Sequence, residues 1–556
     1  MKNLVVLFML FFVFSCKEKN VTEKAQVIWH PYNDSLEIAG NANHKIARMQ
    51  YKLIQSKVLD KNDVFLPLYD EVSKISELDY EKWKPFVLEQ NIPTIQANIK
   101  DGNLSYENLV LFYLYRIYKY ELNNETTLNT ILALNKDILK EARACDQELA
   151  RNPNSGRHLI YGMPILLKDN IDTFGMNTTA GAIALMANET DDAFIVERLK
   201  EHGALILGKV NLSEWAYFLC KGCPVGYSAV GGQTLNPYGR KVFETGGSSA
   251  GSGTSIAANY AVAAVGTETS GSILSPSSQN SVVGLKPTIG LLSRSGIVPI
   301  SSTLDTPGPM TKNTIDNAIL LSAMTGKDLS DVKSVDTFKN YTEALIKPAS
   351  LEGKRFGAFE TLMASDSIYA ATIATIRSLG ATVVVFTPEE LELPGFLSIL
   401  NIDMKNDLPS YIEQNVKNKK VVKVTSIEDV ILFNKQDSLT RIPYGQGLFE
   451  GIVADTTSSE SLKVIIADLE QKSRIYFDEV LERDNLDAIL SINNYHAGYA
   501  AAAKYPALTV PMGYKTTGEP ISLTFIAKQF EEDKLLQLGA AFENATKLRK
   551  MPKGFD

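Results

Sequence analysis

Two segments of this sequence combine small residues with hydroxyl side chains that could act as nucleophiles. They read Gly-Gly-Ser-Ser-Ala-Gly-Ser-Gly at 246–253 and Val-Gly-Thr-Glu-Thr-Ser-Gly-Ser-Ile at 265–273. Small residues allow the backbone to turn tightly and to bring its N–H groups close to a ligand, as an oxyanion hole requires. The pattern favours acyl-transfer chemistry at a serine. The alternative interpretation is a pair of glycine-rich loops between strands.

The first segment also contains a formal nucleophile-elbow pattern. Residues 247–251 match G-x-S-x-G, the strand-to-helix turn of α/β-hydrolases, and put Ser249 in the nucleophile position. His496 is the only one of the five histidines placed late enough in the chain to be its base. An elbow needs a hydrophobic strand directly before it, and Tyr-Gly-Arg-Lys-Val-Phe-Glu-Thr at 238–245 is a poor one. A Ser249–His496 esterase is therefore kept as the alternative mechanism.

A lysine ends an apolar run that is typical of a buried strand. The run reads Gly-Met-Pro-Ile-Leu-Leu-Lys-Asp-Asn at 162–170, with Lys168 as its first charged residue. Burial disfavours the charged form of a lysine, so its pKa falls and it can act as a base. The alternative is a lysine that extends to solvent or pairs with Asp169. Together with the serine segments, Lys168 suggests a Ser–Lys variant of the nucleophile–base pair.

The elements around these segments alternate in a way that predicts a mixed α/β body. Strands are predicted at 165–167, 204–207, 261–265, 355–359, 381–386, 488–492, 508–510 and 521–526, and helices at 126–149, 191–202 and 532–548. We divide the chain into a tether at 17–45, a helical region at 46–150 and an α/β domain at 151–550. A helical insertion is expected at about 390–480 within that domain.

The sequence resembles the amidase signature family of Ser-Ser-Lys serine hydrolases. The resemblance runs almost unbroken from Gly162 to Thr311. It rests on GMPILLKDNIDT (162–173), ALILGKVNLSEWA (204–216), GGQTLNPY (231–238), GGSSAGSGTSIAA (246–258), VGTETSGSILSPSS (265–278), VVGLKPTIGLLSRSGIVPIS (282–301) and DTPGPMT (305–311). The family resemblance implies a mixed, twisted β-sheet covered by helices on both faces.

The resemblance also implies the catalytic residues. Lys168 would be the base, Ser248 the bridging serine on a cis peptide bond, and Ser272 the nucleophile. The two serines have the spacing of the family pattern. The oxyanion hole would consist of backbone N–H groups, namely those of Thr269, Ser270, Gly271 and Ser272. No metal and no organic cofactor is expected.

Details of these motifs point to the peptide amidase-like branch of the family. Many members have glycine at the position of Ser270 and arginine at that of Leu274, whereas the ILSPSS form with Glu268 is closer to this branch. Weaker echoes lie at 405–408 and 444–446. The expected activity is hydrolysis of a peptide or amino-acid amide with release of ammonia. Alternatives are a glutaminase-like subunit of a tRNA-dependent amidotransferase and a non-catalytic binding lipoprotein on an amidase scaffold.

Several other residues of chemical interest lie near these motifs. Cys220 and Cys223 form a C-x-x-C pair, but no second pair supplies the remaining ligands of a zinc site. The spacing leaves open whether they form a local disulfide or are two loop cysteines near the substrate mouth. Asp305 is expected to fix the loop behind the site, and Lys286 to do the same for its own segment.

The N-terminus and the composition indicate the compartment. Met1–Cys16 reads as a signal peptide whose apolar run is too short to span a bilayer, and its end resembles a lipobox with Cys16 as the lipidated residue. A cleaved secretory signal or a short anchor is the alternative. With 45% hydrophobic and 22% charged residues, the chain is globular rather than disordered or fibrous. A net charge of −8 offers no basic surface to hold a phosphate backbone, so we expect no nucleic acid as a partner. We expect an extracytoplasmic, membrane-anchored lipoprotein facing the periplasm.

Overall fold

The computed structural model describes residues 26–336, 339–342 and 349–556. The expected signal peptide, including Cys16, lies outside these residues. In the described ranges no helix combines the length and the apolar character needed to cross a bilayer.

The centre of the molecule is an eleven-stranded mixed sheet. Its order is β1-β3-β2-β6-β8-β7-β12-β13-β11-β9-β10, and β4 and β5 pair separately. The strands are β1 (Ile131–Leu134), β2 (Pro164–Lys168), β3 (Leu205–Val210), β4 (Tyr227–Ser228), β5 (Gly232–Gln233), β6 (Ala263–Glu268), β7 (Val283–Lys286), β8 (Thr306–Thr311), β9 (Arg355–Phe359), β10 (Thr382–Phe386), β11 (Ala488–Ile492), β12 (Ala507–Tyr514) and β13 (Pro520–Ile526). β2 is parallel to both β3 and β6, so the carboxyl ends of these strands meet at one edge.

The other regular secondary structure is helical. They are α1 (Ser35–Asn41), α2 (Lys61–Val72), α3 (Glu77–Val87), α4 (Ile92–Lys100), α5 (Tyr106–Glu121), α6 (Ile138–Arg151), α7 (Phe194–Glu201), α8 (Ala250–Ala257), α9 (Leu274–Gln279), α10 (Thr314–Met324), α11 (Glu360–Ser365), α12 (Ser367–Ser378), α13 (Phe396–Asn415), α14 (Ile427–Lys435), α15 (Ser438–Arg441), α16 (Gly447–Ala454), α17 (Ser459–Arg483), α18 (Ala497–Ala502) and α19 (Glu532–Thr546). Short 3₁₀ turns lie at Ala47–Met49, Ile183–Leu185 and Glu214–Tyr217.

Helices cover both faces of the sheet, and β12 makes this visible. Leu508 and Val510 of β12 contact α19 at Gly539. The residue between them, Thr509, accepts or donates a hydrogen bond with Ser278 of α9, at 3.1 Å between the two oxygens. Because successive side chains of a strand point to opposite faces, α9 and α19 lie on opposite sides. This arrangement confirms the predicted fold class.

The predicted helix at 126–149 is wrong in its first half. Residues 131–134 form β1, which pairs antiparallel with β3, and a helix begins only at Ile138. The apolar run Ile-Leu-Ala-Leu satisfies either a helical or a strand pattern, and the edge of the sheet decides in favour of the strand.

The part of the expected tether that the structure describes is bound to the body. Residues 35–41 form α1, and Trp29 is buried, donating a hydrogen bond from Nε1 to Asn124 Oδ1 at 2.8 Å. Glu37 forms ion pairs with Arg240 and Lys241. Residues 26–45 therefore belong to the folded body. Their contacts run through single polar and aromatic side chains, which leave no periodic pattern in the sequence.

The N-terminal helices share one hydrophobic core with the sheet. Arg116 of α5 is completely buried in that core. Its guanidinium donates hydrogen bonds to three backbone carbonyls, those of Ala258 and Asn259 at 3.0 Å each and that of Phe555. One arginine thus joins α5, the loop after α8 and the C-terminal end of the described chain.

Candidate active site

Lys168 is the last residue of β2, deep inside the sheet, and its side chain is completely buried. Its Nζ lies 2.8 Å from Ser248 Oγ, 2.8 Å from Thr267 Oγ1 and 3.1 Å from the carbonyl oxygen of Thr267. Burial lowers its pKa to about 7, although the carboxylates of Asp305 and Glu268 oppose part of that decrease. A large fraction of Lys168 is therefore neutral near pH 7.

The contacts of Lys168 suit a neutral amine. Such an amine has two hydrogens to donate, which the two oxygens of Thr267 can accept, and one lone pair, which can accept the hydroxyl proton of Ser248. Asn170 also donates to Thr267 Oγ1, at 3.0 Å, and holds this threonine in place. In this geometry the neutral amine of Lys168 can accept the hydroxyl proton of Ser248.

The two candidate serines lie on loops that are tied together. Ser248 precedes α8, its peptide bond to Gly247 is cis, and its carbonyl accepts a hydrogen bond from the N–H of Ser213 at 3.0 Å. The next residue, Ser249, donates its N–H to the carbonyl of Ser272 at 3.2 Å. Ser272 lies between β6 and α9. Its Oγ makes no hydrogen bond within residues 26–336, 339–342 and 349–556, so it is available for reaction.

The segment Thr269–Ser272 presents backbone N–H groups that have no partner among the described residues. None of its four N–H groups donates a hydrogen bond to the described part of the chain. The Thr269 hydroxyl donates to Asp305, whose other carboxylate oxygen accepts the N–H groups of Ile300 and Ser301 at 2.8 and 2.9 Å. Asp305 therefore fixes this segment to the loop behind it, as predicted. An arrangement of this kind can stabilise an oxyanion.

A cavity of about 460 Å³ borders the site. Its wall includes Asn170, Thr267, Thr269 and Asp305, so it reaches the threonine that binds Lys168. The segment Thr269–Ser272 is consequently not packed on all sides.

The sequence of the chain matches a known protein family. The family model described as Amidase matches residues 108–536. The chain belongs to the amidase signature family. A "probable amidase" of Arabidopsis thaliana is 35% identical over an alignment of 486 residues that covers 84% of this chain and 92% of that protein. As an amidase, the chain is a hydrolase that acts on amide C–N bonds.

Solved structures of amidases superpose on nearly the whole chain. An amidase family protein from Bacillus anthracis str. Ames has a TM-score of 0.84 at 37% identity and covers 90% of this chain and 100% of its own. The native peptide amidase from Stenotrophomonas maltophilia has a TM-score of 0.77 at 35% identity, with 84% and 99% covered. The chain thus resembles the peptide amidase-like branch, as its motifs predict.

Glu268, which the sequence suggested only as a feature of the peptide amidase-like branch, also stabilises the backbone near Ser272. Glu268 ends β6, and its Oε2 accepts the N–H groups of Ile273 and Leu274 at 2.7 and 2.9 Å. These are the two residues directly after Ser272. The carboxylate therefore holds the backbone directly after Ser272. An acidic residue at a strand end four positions before Ser272 is the signal that could have revealed this role.

Substituting Glu268 should disturb both folding and turnover. We expect Glu268→Ala to lower the free energy of unfolding by about 3 kcal/mol, because two buried N–H groups lose a charged acceptor. We expect kcat to fall at least about tenfold as the oxyanion segment shifts. Denaturant unfolding and ammonia release measure the two effects. Glu268→Gln keeps one acceptor oxygen and should restore most of the stability; an Ala variant as stable and active as wild type would contradict this role.

The alternative pairing of Ser249 with His496 does not occur. Ser249 Oγ donates to the carbonyl of Thr267 at 3.0 Å, within the structure around β6. His496 bonds through Nδ1 to Ser491 Oγ at 2.6 Å, and its ring stacks on Phe359 with centroids 4.0 Å apart. The two side chains serve separate parts of the fold. The Ser249–His496 mechanism is therefore wrong for this amidase.

The structure also shows the surroundings of Cys220, Cys223 and Lys286. Cys220 and Cys223 are joined in a disulfide, which settles the open choice between the two interpretations of this pair. Lys286 is buried at the end of β7, and its Nζ has no hydrogen-bond partner in the described part of the amidase. Burial lowers its pKa to about 8.

Proposed function

We propose that this amidase hydrolyses the terminal carboxamide of peptide or amino-acid amides and releases ammonia, with Lys168, Ser248 and Ser272 as its catalytic triad. The observation that carries the proposal is the 2.8 Å contact between the buried Nζ of Lys168 and Ser248 Oγ, beside a segment whose four N–H groups donate no hydrogen bond to the described residues. The peptide amidase that superposes on this chain supports the substrate class.

The mechanism is a proton relay coupled to nucleophilic attack. Neutral Lys168 accepts the hydroxyl proton of Ser248, which accepts that of Ser272 as Ser272 Oγ forms a bond to the carbonyl carbon. The N–H groups of residues 269–272 stabilise the resulting oxyanion, each by about 2.7–4 kcal/mol on the scale known for such donors. When the C–N bond breaks, the relay returns the proton to nitrogen, and ammonia leaves. Water then attacks the acyl-enzyme through the same relay and releases the carboxylic acid.

The test is ammonia release from a panel of amides. The panel contains N-acetyl dipeptide amides, amino-acid amides, simple aliphatic amides and glutamine. Preferential turnover of peptide amides supports the proposal. Turnover of glutamine alone would instead favour a glutaminase-like amidotransferase subunit. Binding of peptide amides with no turnover of any amide would favour a non-catalytic binding protein.

Removal of the imidazole of His496 separates this mechanism from the esterase alternative. We expect His496→Gln to change kcat by less than about threefold, because His496 bonds to Ser491 and packs on Phe359 rather than contacting a candidate nucleophile. Steady-state ammonia release measures the effect, and a thermal melt corrects for lost packing. A loss of about 10³-fold or more in a folded variant would restore His496 as a base.

We further propose that the mature chain is anchored outside the cytoplasm by a lipid on Cys16. The support is the short apolar run that ends at this cysteine and the Cys220–Cys223 disulfide, since disulfides persist in oxidising compartments. Mass spectrometry of the N-terminal peptide and fractionation of a Cys16→Ser variant test the anchor. A soluble wild-type protein with an unmodified Cys16 would refute it.

A further inference from the structure

A turn from the far C-terminal part of the chain packs on the oxyanion segment. A Cβ built on Gly271 would lie 3.1 Å from Asn494 Nδ2 and 3.5 Å from Asn494 Cβ. A Cβ on Gly498 would lie 3.7 Å from Ser270 Oγ. The first turn of α18 and the residues before it therefore cover Ser270 and Gly271.

This turn is rigidly held. The N–H of Asn493 donates to the carbonyl of Ser522 at 3.0 Å, and Asn493 Oδ1 accepts the N–H of Ser522 at 2.9 Å. The carbonyl of Asn494 accepts the N–H of Ala497 at 3.0 Å. The backbone of Asn494 is thus fixed on both sides, which favours precise placement of its side chain.

The polar atoms of the Asn494 side chain have no hydrogen-bond partner among the described residues. It is half-buried, and neither its Oδ1 nor its Nδ2 makes a hydrogen bond within the described part of the chain. A side-chain amide can donate two hydrogen bonds and accept two. Ser270 Oγ, which lies next to Gly498 of the same turn, also makes no hydrogen bond to the described residues. Two unpaired polar groups therefore stand next to the proposed oxyanion hole.

We propose that Asn494 is a specificity-determining residue that binds the peptide group adjoining the scissile carboxamide. This inference rests on the proposed function and specifies its substrate: an N-acylated amino-acid amide, which carries a second amide, rather than a simple aliphatic amide. That second amide has one N–H donor and one C=O acceptor, and the Asn494 side chain matches both. The free Ser270 hydroxyl provides a further partner at the same place.

The experiment compares the wild type and one variant on two substrates. Wild type and Asn494→Ala are assayed for ammonia release from N-acetyl-alaninamide and from propionamide, which lacks the second amide. We expect kcat/KM for N-acetyl-alaninamide to fall about tenfold relative to kcat/KM for propionamide, as the loss of one or two hydrogen bonds predicts. Most of the effect should be in KM, because the contact exists before the transition state.

Two further variants serve as a conservative substitution and as a control. Asn494→Ser keeps a small polar group, should fold if alanine does not, and should show a smaller shift in the same ratio. Asn108→Ala is the matched control: Asn108 is also half-buried with no side-chain hydrogen bond in the described residues, but it lines a different cavity with Trp83 and Leu104. It should leave the ratio unchanged.

The outcomes are distinct. An equal loss on both substrates, or no loss on either, would overturn the role of Asn494 while leaving the proposed hydrolysis intact. Failure of the proposed function would appear in the wild type instead, as an absence of ammonia release from every amide tested, and it would overturn both proposals.

Discussion

Alanine at position 272 should abolish ammonia release, with kcat falling by about 10⁶-fold, the magnitude found when other serine hydrolases lose their nucleophile. The reason is that Ser272 Oγ is the atom that forms the acyl bond in the proposed mechanism. A fluorophosphonate probe offers an independent measurement, because it should label Ser272 in the wild type and leave the alanine variant unlabelled.

A neighbouring serine provides the control for this prediction. Ser277 of α9 is also buried, and its hydroxyl has no hydrogen-bond partner in the described part of the chain. Ser277→Ala should therefore retain kcat within about twofold. If Ser272→Ala kept more than about 1% of the wild-type rate, the nucleophile would have to be reassigned, with Ser248 as the next candidate.

The second large effect is expected from Lys168→Met, which preserves much of the side-chain volume but removes the amine. We expect kcat to fall by about 10²–10⁴-fold, the range that general acid–base catalysis contributes. In the wild type, kcat/KM should rise with pH through about 7, because the neutral amine is the active form and burial lowers its pKa to that value. A flat pH profile together with full activity of the methionine variant would contradict the assignment.

The same substitution should affect stability in the opposite sense. The pKa of Lys168 is about 7 in the folded chain against 10.5 for an ordinary lysine, so the unfolded chain binds more protons between these values. The lysine therefore destabilises the fold increasingly as pH falls from about 10.5 to about 7, and the penalty is constant below that. As the pH falls from about 10.5 to about 7, the free energy of unfolding of Lys168→Met should therefore rise by about 3–5 kcal/mol relative to that of the wild type. Denaturant unfolding at several pH values measures the change; a difference independent of pH would show that Lys168 is not buried as a strongly perturbed amine.

The residues of the proposed site lie in contiguous segments, which is why the sequence alone could suggest them. Lys168, Ser248 and the segment 269–272 fall in motifs of small and apolar residues whose local pattern is unusual. Strands such as Arg355–Phe359 and Ala488–Ile492 were predicted with their observed bounds, because buried apolar runs with clear ends leave little choice.

Other features depend on contacts that no local pattern encodes. β1 was predicted as helix, since only its pairing with β3 distinguishes the two. The bonds from Glu268 to Ile273 and Leu274 require the turn after β6 to be known. Asn494 approaches Gly271 through the turn before α18, although the two residues are far apart in the chain and the strands that precede them, β11 and β6, are separated by four other strands of the sheet.

The buried guanidinium of Arg116 has a consequence for where this enzyme can be divided. The segment that matches the family, residues 108–536, contains the proposed catalytic residues, yet Arg116 inside it depends on the carbonyl of Phe555 outside it. Excision at the family limits would leave a buried cation short of an acceptor and would uncover core side chains that α2–α4 now shield. The segment recognised by similarity thus leaves out contacts on which its own core relies, and grafting of this amidase should retain the flanking residues that make them.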